Sequence, residues 1–412
     1  MYSVAENKKV ISVIILFFLI IYGFSIAGID MRYPITALCF AWILLISKKI
    51  VLPKYIQGII VFLIGMGVYA FIMAVLSSTG DYFETLRFLR CIITLLLIVQ
   101  IISAFDISAQ KMFYVIKLLL FLNAVAIILG IIWPQFKEII HPISQYYKEF
   151  SQFRSSGLFD GEDAAGFFCV IGLIMETVER VYKKKSPLSP FSFVFLFSIV
   201  FTSRFSLLLA VIVLFIDVYI LFKQKNYKHI LGLMLILMPM AITMTGMWIM
   251  TTGFGMQYRQ ILINKFPFLV RLFTVLSSSY LDYGVFTGTL ERHVVVVDFT
   301  MLDYVFGKGY RGAVKQDVGY IKSLYSIGII GIIAELSFYL NTVRKCQRFA
   351  NQPKYIVTTY KIIILVMILM EIKNSFILAS SVFEVTMCIY LTLYYTSERD
   401  AIHYTRKDEY EE

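Results

Sequence analysis

Leu188 to Phe222 reads L-S-P-F-S-F-V-F-L-F-S-I-V-F-T-S-R-F-S-L-L-L-A-V-I-V-L-F-I-D-V-Y-I-L-F, apolar but for Arg204 and Asp217. As one helix these roughly 35 residues would extend about 50 Å, against a hydrocarbon core of ~30 Å. The stretch must therefore reverse, and Arg204, inside T-S-R-F-S, marks the reversal. Asp217 falls near the far end of the second limb, where it is expected to reach the surface by snorkelling. The whole chain has the same character. It has 412 residues, 59% of them hydrophobic and only 16% charged, with a mean hydropathy of +0.78. Soluble domains average roughly 25% charged residues, and a soluble chain this apolar could not cover its surface. Cytosolic enzymes, secreted disulfide scaffolds and disordered proteins are excluded. What remains is an all-α, polytopic membrane protein.

Spans are predicted near Val10–Ile29, Pro34–Ser47, Tyr55–Ser77, Phe88–Phe105, Met112–Trp133 and Ala164–Tyr182. Others follow near Leu188–Ser203, Phe205–Phe222, Ile230–Met250, Val318–Leu340, Tyr355–Met370 and Val382–Tyr395. That makes about twelve transmembrane helices in a single domain covering 1–412. The first is too long for a signal peptide and has no cleavage site behind it, so it reads as an uncleaved span. Lys8 and Lys9, Lys48, Lys49 and Lys54, Lys183–Lys185, Lys223, Lys225 and Lys228, and Arg344–Lys354 all fall on one side. The positive-inside rule makes that side cytoplasmic, with both termini on it. The net charge of +11 is explained the same way, and no basic soluble face suggests nucleic acid.

Two outer loops are long. One is 133–163. The other is 251–317, roughly 65 residues, far beyond the usual connection length. The second contains Tyr258–Leu276, expected to lie in the membrane interface with a kink at Pro267, and Leu290–Phe306, expected to be helical and to end at Gly307. The acidic segment 397–412 is expected to be a frayed cytoplasmic tail. The five cysteines are spread through apolar runs and one inner loop, and the four histidines are scattered, so neither a disulfide framework nor a metal site is expected.

Lys117, Lys361, Glu335 and Asp217 are the ionisable residues expected inside the bilayer, all within snorkelling reach of the inner interface. The outer face carries Arg154, Arg204, Arg259, Arg271, Arg292 and Arg311, which the positive-inside rule should deplete there. Arginine binds phosphate through two parallel hydrogen bonds and keeps its charge at all accessible pH. Such a cluster suits an anionic headgroup or a pyrophosphate, while any one of these arginines taken alone suits solvated loop charge equally well.

Four stretches occur in a characteristic order: R-S-S-G-L-F at 154–159, T-S-R at 202–204, E-R-H-V-V-V-V with F-G-K-G-Y-R at 291–311, and D-V-G-Y-I-K-S-L-Y-S-I-G-I-I-G at 317–331. On these the chain resembles the O-antigen polymerase and ligase family, the Wzy-type membrane glycosyltransferases. The ligase branch typically opens the fourth motif with histidine and asparagine. Asp317 stands there instead, which looks like the polymerase branch. The resemblance implies polymerisation of undecaprenyl-pyrophosphate-linked oligosaccharide units at the outer face of the bacterial cytoplasmic membrane, with no cofactor and no metal. It also implies membrane lipids, a chain-length regulator and a flippase as partners. The product class (O-antigen, capsule or exopolysaccharide) stays open.

The chemistry assigns roles. Pyrophosphate is a good leaving group, so a site must stabilise its charge and place the acceptor. Arg154 and Arg204 are the expected donor contacts, with Arg259, Arg292 and Arg311 as further substrate-binding candidates. A general base takes the acceptor hydroxyl proton. Asp317 is the first choice, against the alternative that it caps the tenth span, and His293 is the second. Tyr320, one turn on from Asp317, is a substrate contact or an interfacial anchor. Gly307 and Gly309 read as turn glycines. A flippase would show two related halves and charges near mid-membrane, and neither is evident.

Overall fold

The computed structural model describes residues 4–22, 25–26, 29–30, 32–47, 52–133, 135–144, 155–159, 161–234, 238, 299–309, 318–349 and 352–411. Helix α1 (Val4–Tyr22) is followed by a two-residue antiparallel ladder of β1 (Ser25–Ile26) and β2 (Ile29–Asp30). Then come α2 (Arg32–Ser47), α3 (Lys54–Leu76), α4 (Phe83–Phe105), α5 (Ala109–Ile132), α6 (Gln135–Ser144), α7 (Glu162–Tyr182), α8 (Pro190–Val200) and α9 (Arg204–Lys223). The remaining elements are α10 (Met301–Phe306), α11 (Gly319–Cys346), α12 (Lys354–Met370) and α13 (Val382–Glu411). Residues 227–234 are also helical.

Among the described residues five helices are long and apolar enough to cross a membrane: Ile56–Leu76, Phe83–Phe105, Ala109–Ile132, Phe205–Lys223 and Gly319–Cys346. Shorter apolar helices are Lys9–Tyr22, Pro34–Ile43 and Pro190–Val200. The packing is inverted relative to a soluble domain. Val61, Ile64, Val68, Phe71, Ile72 and Val75 form an outward stripe on α3 at helical spacing. On a helix long enough to cross a bilayer, such a face suits lipid. The protein is a membrane-embedded helical bundle. At its centre stands α7, which has no exposed position along its length and packs against α5, α8, α9 and α12.

Leu188–Phe222 reverses as its length demands. Pro190 opens α8 behind a capping box in which Ser189 and Ser192 exchange hydrogen bonds. Residues 201–203 make the turn, and Ser203 caps α9 by accepting from the Ser206 amide at 3.2 Å. Arg204 is thus the first residue of α9.

Five expectations are corrected. The first span stops at Tyr22, and the ladder occupies the end assigned to it. Leu290–Phe306 is not one helix. Phe299 and Thr300 are non-helical, and a Thr300–Asp303 capping box starts α10 afresh at Met301. The segment 397–411 is helical as the last part of α13, a run without Gly or Pro, with Arg399 paired to Asp106 at 2.9 Å. The tenth span breaks at Gly328, which takes φ 63° and ψ −173° inside α11. Finally, Glu335 and Asp217 do not snorkel; they are 1% and 0% exposed because they face other helices. Lys117 instead reaches Glu176 at 3.0 Å and Glu179 at 2.5 Å, fastening α5 to α7. The five cysteines are free and buried.

Candidate functional site

The bundle has a lysine-rich end, where α7, α9 and α11 finish in Lys183–Lys185, Lys223–Lys225 and Arg344–Lys345. The described parts of the motif segments gather at the opposite ends of the same helices. The Ser155 amide donates to the Phe201 carbonyl at 3.1 Å. The segment that follows Arg154 is therefore laid against the turn that precedes Arg204. It is held from below by α5, since the Leu158 amide donates to Asn123 Oδ1 at 2.9 Å. Phe159 stacks on Phe168 of α7 with centroids 4.2 Å apart.

The third and fourth motifs are joined in the same way. A break in a helix releases carbonyls that must find other donors. At Gly328 these are supplied by the F-G-K-G segment and by α3. The Lys308 amide donates to the Tyr325 carbonyl at 2.7 Å and the Gly309 amide to the Ser326 carbonyl at 3.0 Å. Tyr69 of α3 donates its hydroxyl to the Ile327 carbonyl at 3.2 Å and the Phe306 carbonyl at 2.7 Å, and Ser77 donates to the Lys308 carbonyl. Gly307 and Gly328 lie backbone on backbone: a Cβ on Gly328 would come within 2.4 Å of the Val305 carbonyl oxygen. Gly307 and Gly309 are turn glycines, as expected, with φ 79° and 64°. Asp303 sits beside this junction. Partial burial works against its charge, but hydrogen bonds from the Thr300 hydroxyl and amide and the Lys308 ammonium hold its carboxyl below the usual range.

The connection between α12 and α13 links the two motif pairs. Glu371 Oε2 accepts from the Phe376 and Ile377 amides at 2.6 and 2.8 Å. Its backbone carbonyl accepts from Gly319 at 3.0 Å and Tyr320 at 3.4 Å. Phe376 in turn packs on Phe167 of α7, centroids 4.8 Å apart. The start of α11, the 371–381 connection and the start of α7 form one contiguous floor.

That floor rests on a charged cluster absent from the sequence reading. Glu84 and Arg87 of α4 pair at 3.0 Å and are 1% and 8% exposed. Arg87 Nε and Arg90 Nη2 both donate to the Leu378 carbonyl, at 3.3 and 2.6 Å, and Arg90 Nη1 reaches Ser380 Oγ at 3.4 Å. Glu335 and Glu371 also face Arg87. Leu378 and Ser381 hold φ of 55° and 63°, a conformation that costs a non-glycine residue of order 1–3 kcal/mol. The arginines over-determine the strained turn. The signal was present as E-x-x-R-x-x-R at 84–90, one helical face at successive spacings of three. A fourth span that begins at Phe88 leaves Glu84 and Arg87 outside the bilayer, which hides this face.

Of the site residues expected from sequence, Tyr320 is fully described: its hydroxyl donates to the Ile368 carbonyl at 2.9 Å, bracing α11 against α12. Arg204 is placed by its backbone at the start of α9. Asp317, His293, Arg154, Arg259, Arg292 and Arg311 lie outside the described residues, as do Arg271 and Tyr258–Leu276. No group of three or more His, Cys, Asp or Glu that could hold a metal ion occurs among the described residues. Compared with protein-family models, curated proteins and solved structures, the chain matches none.

Proposed function

We propose that this protein is a polymerase of undecaprenyl-pyrophosphate-linked oligosaccharide repeat units, a metal-independent glycosyltransferase with about twelve spans in the bacterial cytoplasmic membrane, both termini cytoplasmic. One observation carries the reading. The described parts of the motif segments meet in two hydrogen-bonded pairs, Ser155 on Phe201 just ahead of T-S-R and Lys308–Gly309 on Tyr325–Ser326, away from the lysine-rich loops. A site built from distant segments on rigid helices is what positioning chemistry needs.

In this reading Arg154 and Arg204 face the donor pyrophosphate and stabilise the charge that develops as the glycosyl–phosphate bond breaks. The acceptor hydroxyl of the next lipid-linked unit attacks the anomeric carbon and gives its proton to Asp317, or to His293. Undecaprenyl pyrophosphate leaves, and the chain has grown by one unit. Arg259, Arg292 and Arg311 bind sugar or headgroup. The function of Tyr320 is to hold the start of α11 beside α12.

The test is incubation of the purified full chain with the lipid-linked repeat unit, followed by a gel. A ladder with unit spacing is expected. A single transfer to a lipid A core acceptor with no ladder would instead identify a ligase, and transbilayer movement of the intact lipid-linked unit without transfer would identify a flippase.

A further inference from the structure

Asp217 lies on α9 where that helix packs against α7, under two turns from its lysine-rich end. It is 0% exposed, and neither carboxyl oxygen has a hydrogen-bond partner. The Thr177 hydroxyl of α7, also fully buried, faces it as its one close donor, at a geometry short of a well-formed hydrogen bond. An ionised carboxylate in such a place would cost many kcal/mol unless a cation or several donors compensated it.

Among the described residues the surroundings supply none. On α7 the charged groups at this level are occupied elsewhere. Glu176 holds Lys117 and Ser189, Glu179 holds Lys117 and Lys183, and Arg180 Nε donates to the Ser186 carbonyl at 2.6 Å. Helix α8 has no ionisable residue. On α12, Tyr360 shares a hydrogen bond with Thr342 and Lys361 faces Cys346. On α9 itself Tyr219 is 66% exposed and points away. The sequence from Ile230 to Gln257 contains no ionisable side chain that could approach from a following span. One carboxyl and one hydroxyl are too few oxygens for a metal cation, which takes six or more. A proton is the ligand that fits.

We propose that Asp217 is a proton-binding site inside the bundle, a neutral carboxylic acid whose retained proton lets α9 close against α7 at Thr177. Loss of the proton would leave a bare charge between two packed helices and force them apart.

The experiment is isotope-edited infrared spectroscopy of the full chain in lipid vesicles, with every aspartate carboxyl carrying carbon-13. Exposed aspartates are ionised at neutral pH, so a labelled carboxylic-acid band there reports a buried neutral aspartate. The band is expected in the natural protein and absent from Asp217→Asn. Asp217→Glu, which keeps the acid but removes the label, should also lose it, and serves if the asparagine variant fails to accumulate. Only carboxylate bands from aspartate at neutral pH in the natural protein would overturn the proposal. So would a neutral-acid band that persists in either variant.

Discussion

Gly319 and Glu371 are in contact twice over. The Gly319 amide donates to the Glu371 carbonyl at 3.0 Å, and a Cβ on Gly319 would fall 2.3 Å from Glu371 Oε1. The only residue that lets α11 begin against this carboxyl is one without a side chain. The same Cβ would meet the Asn374 carbonyl oxygen at 2.8 Å, so Gly319→Ala should displace the Glu371 carboxyl or push α11 from the 371–381 connection, an overpacking that costs about 1–3 kcal/mol. The loss should appear as a lower unfolding temperature of the detergent-purified protein. An unchanged temperature would mean that the two segments separate freely.

Glu371 itself offers a graded comparison. Its carboxylate accepts two buried amides. Glu371→Gln keeps one acceptor oxygen, whereas Glu371→Ala leaves both amides unpaired, at about 1–3 kcal/mol each. The alanine variant should be the less stable of the two by thermal melting. Equal stability would show that the amides find other partners.

The arginine pair on α4 predicts a recovery. Arg87→Ala takes from buried Glu84 the guanidinium it pairs with and should cost about 3–5 kcal/mol, while replacing both partners by apolar residues of similar size removes both charges together. The double variant Glu84→Leu with Arg87→Met should therefore accumulate better in membranes than Arg87→Ala alone. The reverse order would show that Arg87 acts mainly through the Leu378 carbonyl, which Nε reaches at 3.3 Å.

How much of this was legible beforehand differs by element, for physical reasons. The reversal at Arg204 was readable because length against bilayer thickness is a local argument, and Ser203 supplies the cap in place. The break at Gly328 was not, because S-I-G-I-I-G reads as ordinary small-residue helix. The break exists because Lys308, Gly309 and Tyr69 arrive to take the freed carbonyls. The Glu84–Arg87–Arg90 face was hidden for the same reason. Its burial depends on Leu378, nearly three hundred residues away in sequence. Glu335 and Asp217 do not snorkel because distance from the helix end sets reach only for an outward face, and both residues face inward.

Orientation gives a further expected outcome. If the basic loops are cytoplasmic, a reporter fused after Lys185 or Lys225 reads cytoplasmic, and one at Gln257 or Lys308 reads external. An external signal at Lys185 would put the motif-bearing end on the wrong side for a lipid-linked sugar substrate.

The sharpest test of the proposed site is charge at the donor end. The Ser155–Phe201 hydrogen bond brings the segment behind Arg154 to the turn ahead of Arg204. If both hold one pyrophosphate, Arg154→Ala and Arg204→Ala should each abolish the ladder while the protein still accumulates in the membrane. Neither change removes the Ser155–Phe201 bond or the Ser203 cap, both of which use other residues. Arg204→Lys should recover part of the activity, because an ammonium keeps the charge but loses the two-pronged geometry. The two losses should not multiply in the double variant, since residues acting on one group act as a unit. Polymer formed per unit of inserted protein is the measurement. Full ladders from both single alanine variants would remove the donor site from this end of the bundle, and multiplying losses would assign the two arginines to different groups on the substrate.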